Sequence, residues 1–132
     1  ERFEDINAFE RYLARNGYVI RKFFLNVSRS EQRKRFLERI DEAEKNWKFS
    51  LGDVKERDHW HAYMAAYEEM VQHTATPHAP WIVVPADNKR FARLVVAAAV
   101  IDALEGLRLA FPKVDEARRK ELEAARAKLE AD

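Results

Sequence analysis

The residues best suited to chemistry in this sequence are basic and amide side chains spaced to share a face. In "SEQRKRFLERI", a helical advance of about 100° per residue puts Gln32, Arg35 and Arg39 within an arc about 60° wide. Phe36, Leu37 and Ile40 occupy a separate apolar arc, and Arg33 falls beside it, which aims Arg33 toward a cleft. Two guanidiniums and an amide on one face suit a row of phosphates, because arginine donates in a rigid fork that matches phosphate oxygens. The competing reading is a solvated face tied by Glu31 and Arg35 at i, i+4, a pair worth only about 0.2–0.5 kcal/mol.

Four further cations stand at telling places. Lys48 follows Trp47 in the loop "NWKFS", either as a phosphate contact or as an ordinary surface lysine. Arg57 lies one turn before Trp60, within reach of a bound anion or of Asp53 and Asp58. Lys89 and Arg93 share a face at the start of a helix that follows the strand "WIVVP", with Asp87 as the expected N-cap. Cations at a helix N-terminus oppose the macrodipole. A bound anion there reverses that sign, since exposed N–H groups and cations then act together. Open α/β sheets place ligands at the carboxyl ends of strands, so the acid-to-basic junction at Asp87 reads as a ligand-facing strand end.

Other chemistries find little support. His59 and His61 point about 200° apart on a helix and cannot share a metal. His73 and His78 flank a proline turn, and there is no HExxH motif. The chain has no cysteine, hence no disulfide and no thiolate ligand, which fits a reducing, cytoplasmic compartment. Its three glycines, Gly17, Gly52 and Gly106, form no phosphate-cradling loop. A net charge of +1 from 24 basic and 23 acidic residues gives no global field for nucleic acid or membrane. The apolar run from Leu94 to Ile101 is far shorter than the roughly 20 residues that span a bilayer.

These residues need a scaffold. A chain of 132 residues, 47% apolar and 36% charged, can build one folded domain. Phe3, Ile6, Phe9 and Leu13 recur at helical spacing, so the chain is expected to open inside a packed helix that ends at Asn16-Gly17. Val19 to Ser28 is β-branched and aromatic and reads as a strand. Ser28 or Ser30 caps a helix to about Asp41, and "DEAEKNWKFSLG" reads as a loop. Asp53 and Glu56 suggest a capping box for one long helix to His73, with Trp60, Tyr63, Met64, Tyr67 and Val71 as a buried stripe. Trp81 to Pro85 is the second strand. The following helix runs to Leu104 and is apolar on every side from Ala97 to Ile101, so burial is expected. After Pro112 comes a charged helical tail with Leu122, Ala125 and Leu129 as its seam. Two strands separated by helices imply a parallel, helix-covered α/β sheet, and two strands alone make a poor one.

"VSRSEQRKRFLERI", "NWKFSLGDVKERDHWHAY" and "HTATPHAPWIVVPADNKRFAR" together resemble the C-terminal half of the polyphosphate kinase 2 family, over about Glu1 to Leu107, within a domain expected at residues 1–111. The resemblance implies the C-terminal part of a thymidylate-kinase-like P-loop fold with three α/β/α layers. Two parallel strands, flanking helices and a lid at about residues 29–72 would belong to it, with residues 112–132 as an added tail. It places Gln32, Arg35 and Arg39 on the lid, and matches Lys48, Ser50, Asp53, Arg57, Trp60 and Tyr63 to the segment after it. Asp87, Lys89 and Arg93 match the basic helix beyond the last core strand. Ala43 stands where the family usually has proline, and His61 where an acid is common.

The implied activity is Mg²⁺-dependent phosphoryl transfer between inorganic polyphosphate and nucleoside mono- or diphosphates, with ADP, AMP, ATP or guanine equivalents as partners. The family's Walker A and Walker B residues are expected upstream of residue 1, so this chain alone is expected to be inactive. A homo-oligomer, or association with an amino-terminal half, is expected. The rival expectation is a non-catalytic anion-binding or subunit-assembly module.

Overall fold

The computed structural model describes residues 1–131. Helix α1 (Arg2–Arg15) leads to strand β1 (Lys22–Asn26) and helix α2 (Arg29–Asp41). A 3-10 turn over Ala43–Lys48 precedes the short helix α3 (Leu51–Glu56), and a second over Arg57–His59 precedes α4 (Trp60–Thr74). Strand β2 (Trp81–Pro85), α5 (Lys89–Gly106) and α6 (Glu116–Glu130) complete the chain.

Local chemistry explains the boundaries. α1 stops where Asn16 closes the last turn and Gly17 takes φ +86°, a left-handed conformation that costs a side-chain-bearing residue energy. Ser28 caps α2, its hydroxyl accepting from the Glu31 amide at 3.1 Å. β1 and β2 pair in parallel, Lys22 opposite Trp81 through Asn26 opposite Pro85, with α2, α3 and α4 in the crossover. Side-chain alternation then divides the sheet. Val84 packs with Ala86 and Ala92 under α5, joined by Phe23, Ile82 and Val95. Phe24 faces the other way and meets Tyr67 of α4, ring centroids 5.0 Å apart.

The amino ends of both strands are bolted by a part-buried lysine. Lys22 Nζ donates to Glu10 Oε2 of α1 at 2.6 Å and to the Thr74 carbonyl at the end of α4 at 2.7 Å. It also lies 5.2 Å from the Trp81 ring centroid. Trp81 Nε1 donates to Thr74 Oγ1, which itself donates to the Met70 carbonyl. Stacking of Phe3 on His73 and an Asn7 hydrogen bond to the His73 carbonyl fasten α1 along α4.

Several expectations need correction. β1 is shorter than Val19 to Ser28, because only Lys22 to Asn26 finds partners on β2. The stretch expected as loop contains a 3-10 turn and the start of α3, whose cap is Ser50, accepting from Gly52 N, and not Asp53. The single long helix is broken at Arg57–His59. Ala97, Ala98, Val100 and Ile101 of α5 are exposed, since only the face toward β2 is covered. The α4 stripe is only half-packed, with Tyr63 and Tyr67 open to solvent at the edge of a cleft. Among the described residues no helix is long and apolar enough to cross a membrane.

Candidate phosphate-binding cleft

A cleft of about 530 Å³ opens at the carboxyl end of β1. Leu25, Asn26 and Val27 form its floor, α2 contributes Gln32, Arg35, Phe36 and Arg39, and the α3–α4 arm contributes the opposite wall. Four of the residues marked by spacing in the sequence therefore meet here: Gln32, Arg35, Arg39 and Arg57. Lys48, Asp87, Lys89 and Arg93 lie outside this lining.

The break between α3 and α4 brings Arg57 back against α2. Its guanidinium donates to the Gln32 side-chain oxygen and, from both Nη atoms, to the Arg29 carbonyl at 3.3 Å. The expected pairing with Asp53 or Asp58 is not formed, because the turn at Arg57–His59 carries Arg57 toward α2 instead. The Phe36 ring lies close to two cations: its centroid is 5.4 Å from the Arg39 guanidinium and 5.9 Å from that of Arg57. Such contacts hold a cation in place without neutralising it. Arg39 forms no ion pair among the described residues, and its charge stays available to a ligand. The end of α2 is itself supported by Asn46, whose amide donates to the Arg39 and Ile40 carbonyls, both at 2.8 Å.

Arg35 has a different environment. Its Nε donates to Glu31 at 2.8 Å, so the anticipated i, i+4 pair does form. Its Nη2 donates to the carbonyls of Ala86 and Asp87, at 2.8 and 3.0 Å. Asp87 does not cap α5 as expected; Asn88 does, accepting from the amides of Arg90 and Phe91. The Asp87 carboxylate turns instead to the start of α2, where it accepts from the Ser28 amide at 2.7 Å. Hydrogen bonds from the Ser28 backbone and hydroxyl, helped by the Arg35 charge, hold the Asp87 carboxyl below its usual range.

The remaining basic residues are peripheral. Lys48 Nζ lies 4.9 Å from the ring centroid of the exposed Trp47. Lys89 and Arg93 are exposed on the first turns of α5 and form no ion pair among the described residues. Arg33 is exposed and does not face the cleft, contrary to its helical position, because α2 turns that flank to solvent.

Sequence spacing missed one pair at the site. Tyr63 donates its hydroxyl to Glu56 Oε2 at 2.5 Å, and that hydrogen bond together with the carboxylate's charge raises the Tyr63 pKa. The two residues lie on different helices, so no single helical period links them. The cleft thus combines guanidiniums from α2 and from the turn before α4, aromatic faces along its wall, and carboxylates at Asp53 and Glu56.

The profile of the family described as Polyphosphate kinase 2 (PPK2) matches residues 1–111. An "Uncharacterized protein in chlN 3'region" from Leptolyngbya boryana is 52% identical over 132 residues, covering 100% of this chain and 97% of that one. The ADP-polyphosphate phosphotransferase of Rhodopseudomonas palustris is 48% identical over 129 residues, covering 98% of this chain and 45% of the enzyme. Among solved structures, polyphosphate kinase 2 from Arthrobacter aurescens TC1 superposes with a TM-score of 0.83 at 44% identity, over 94% of this chain and 45% of that one. The chain therefore spans about half the length of the named phosphotransferase and of the solved kinase. With the family profile matching residues 1–111, and with a fold that superposes on a solved polyphosphate kinase 2 over 94% of its length, the chain belongs to the polyphosphate kinase 2 family.

Proposed function

We propose that this chain forms the lid and phosphate-binding part of a polyphosphate-dependent nucleotide phosphotransferase. The reaction moves a phosphoryl group between inorganic polyphosphate and a nucleoside mono- or diphosphate. The observation that supports this most is the convergence of Gln32, Arg39 and Arg57 around Phe36 at the strand end, with Arg35 beside them. Phosphoryl transfer is catalysed mainly by positioning and by neutralising charge on phosphate oxygens, and a row of guanidiniums supplies both. Lys48, Lys89 and Arg93 extend the cationic surface outside the cleft, where an extended polyanion would pass. This sequence contains no GxxxxGK loop. Its contribution is lid closure and charge, not the cradle that holds a nucleotide's phosphates.

Mg²⁺ is the expected ion of such a reaction, but the described residues do not assemble a site for it. No three carboxylate, imidazole or thiol groups come together among them, and Glu56 already accepts from Tyr63.

The test is titration of the 132-residue chain with polyphosphate of defined length. Wild type binds, and Arg39→Gln weakens binding at least about tenfold, roughly 1.4 kcal/mol, while neither transfers phosphate to ADP. Equal binding by wild type and variant would return Arg39 to a solvated face.

A second contact is favoured by one observation. Leu94, Ile101 and Leu104 of α5 are more than half exposed, an apolar face that another polypeptide segment would cover. Light scattering decides whether the chain self-associates through it.

A further inference from the structure

Three groups of different origin meet at the junction of β2 and α5. The Ala86 amide donates to the Asn26 carbonyl at the end of β1, at 2.8 Å. The Asp87 carboxylate accepts from the Ser28 amide at the start of α2, at 2.7 Å. The carbonyls of the same two residues, Ala86 and Asp87, both accept from Arg35 Nη2, two turns further along α2. Residues 86 and 87 are thereby held by the strand, by the first residue before the lid helix, and by a side chain from that helix's middle.

We propose that Arg35 is a positioning residue of the lid: its guanidinium pins α2 to the β2–α5 junction, and the phosphate contacts fall to Arg39 and Arg57. The geometry separates the roles. Nε of Arg35 is occupied by Glu31 and Nη2 by two carbonyls, and the pair's side chains are each only 21% exposed. Arg39 lies one turn along on the same side, over the Phe36 ring and without a carboxylate partner. A helix anchored only at its first turn can swing about Ser28. A second anchor at Arg35 fixes its direction, and with it the place where the Arg39 charge meets a ligand. Lysine could not substitute: one ammonium is a point charge on a flexible stem, whereas the planar fork reaches a carboxylate and two carbonyls at once.

This inference deepens the phosphate-binding reading and rests on it for its second measurement only. The first measurement is amide hydrogen exchange on the unliganded chain, with wild type, Arg35→Lys and Arg35→Gln compared. Both variants should lose protection at least about tenfold at Ser28 and through the first turns of α2, while the amides of β1 and β2 keep theirs. The second is the dependence of polyphosphate affinity on salt. Each cation that touches a phosphate adds about one to the slope of log K against log[salt]. Arg39→Gln should lower that slope by about one. Arg35→Gln should leave it nearly unchanged while weakening binding, and Arg35→Lys should weaken binding as much although it keeps the charge.

Unchanged exchange at Ser28 and α2 in both Arg35 variants overturns the proposal, whatever happens to binding. So does a slope lowered by about one in Arg35→Gln together with full affinity in Arg35→Lys, which would make Arg35 a phosphate contact. Failure of wild type to bind polyphosphate at all would refute the phosphate-binding reading instead, and the exchange experiment would still decide the anchor.

Discussion

Lys22→Met tests the bolt at the amino end of the sheet, remote from the cleft. The wild-type ammonium meets Glu10 at 2.6 Å and the Thr74 carbonyl at 2.7 Å, with side-chain exposures of 13% for Lys22 and 11% for Glu10. Methionine fills much of the same volume but leaves a buried carboxylate without a counter-charge and a carbonyl without its donor. Breaking one partner out of a buried ion pair costs about 3–5 kcal/mol. Counting two hydrogen bonds to a charged donor at about 1.5–3 kcal/mol each leads to a similar figure. Against a typical domain stability of about 5–15 kcal/mol, that is a large share. At roughly 3–5 °C per kcal/mol for a chain of this size, Tm should fall by roughly 10–25 °C.

The decisive comparison is the double variant Lys22→Met with Glu10→Leu, which removes both charges and so avoids the stranded carboxylate. Replacing a buried pair by apolar groups is often close to neutral, so the double variant should recover most of the loss, ending within about 2 kcal/mol of wild type. Thermal melts and urea titrations of wild type, both single variants and the double variant measure this cycle. A double variant at least as unstable as the sum of the singles would refute the reasoning, since it would mean the charges themselves do not set the cost. Polyphosphate affinity should be unchanged wherever the chain remains folded, because neither residue lines the cleft.

The Asp87 carboxyl is held below its ordinary range, so its ionised form is favoured by folding. That contribution is complete above the unfolded carboxylate pKa of about 3.9 and is lost as pH falls through the lower folded value. Protection of the Ser28 amide should therefore drop at acid pH in wild type, and Asp87→Asn should remove that pH dependence; exchange measured from pH 6 downward checks it. Gly17→Ala should cost about 1–2 kcal/mol, because Gly17 holds φ +86° while an added Cβ would meet no neighbour. Chemical denaturation measures that cost, and a neutral result would show that the α1 terminus relaxes.

Much of this protein is legible in its residues because the signals are local. Ser28 before a polar helix, Asn16-Gly17 after an amphipathic one, and two β-branched runs separated by helices specify caps, ends and a parallel pair without reference to the rest of the chain. The shared face of Gln32, Arg35 and Arg39 follows from helical geometry, and all three do line one cleft. What spacing could not decide is which of them is available. Arg35 and Arg39 are equivalent on a helical wheel, yet one meets two carbonyls from residues 86 and 87 while the other lies over a ring with no anion beside it. That difference arises from the parallel register, which brings the end of β2 beside the start of α2. Arg57 is a similar case: a turn of 3-10 helix, invisible in the apolar period, swings it from its near neighbours to Gln32. Asp87 looked like a cap because it precedes a helix by the usual interval, but Asn88 stands nearer the first turn and Asp87 faces an unpaired amide across the junction. Local propensity determined the type and order of most elements; tertiary contact decided how far β1 extends and which charges are tied into the structure or remain for a ligand, because that depends on donors and acceptors far apart in sequence.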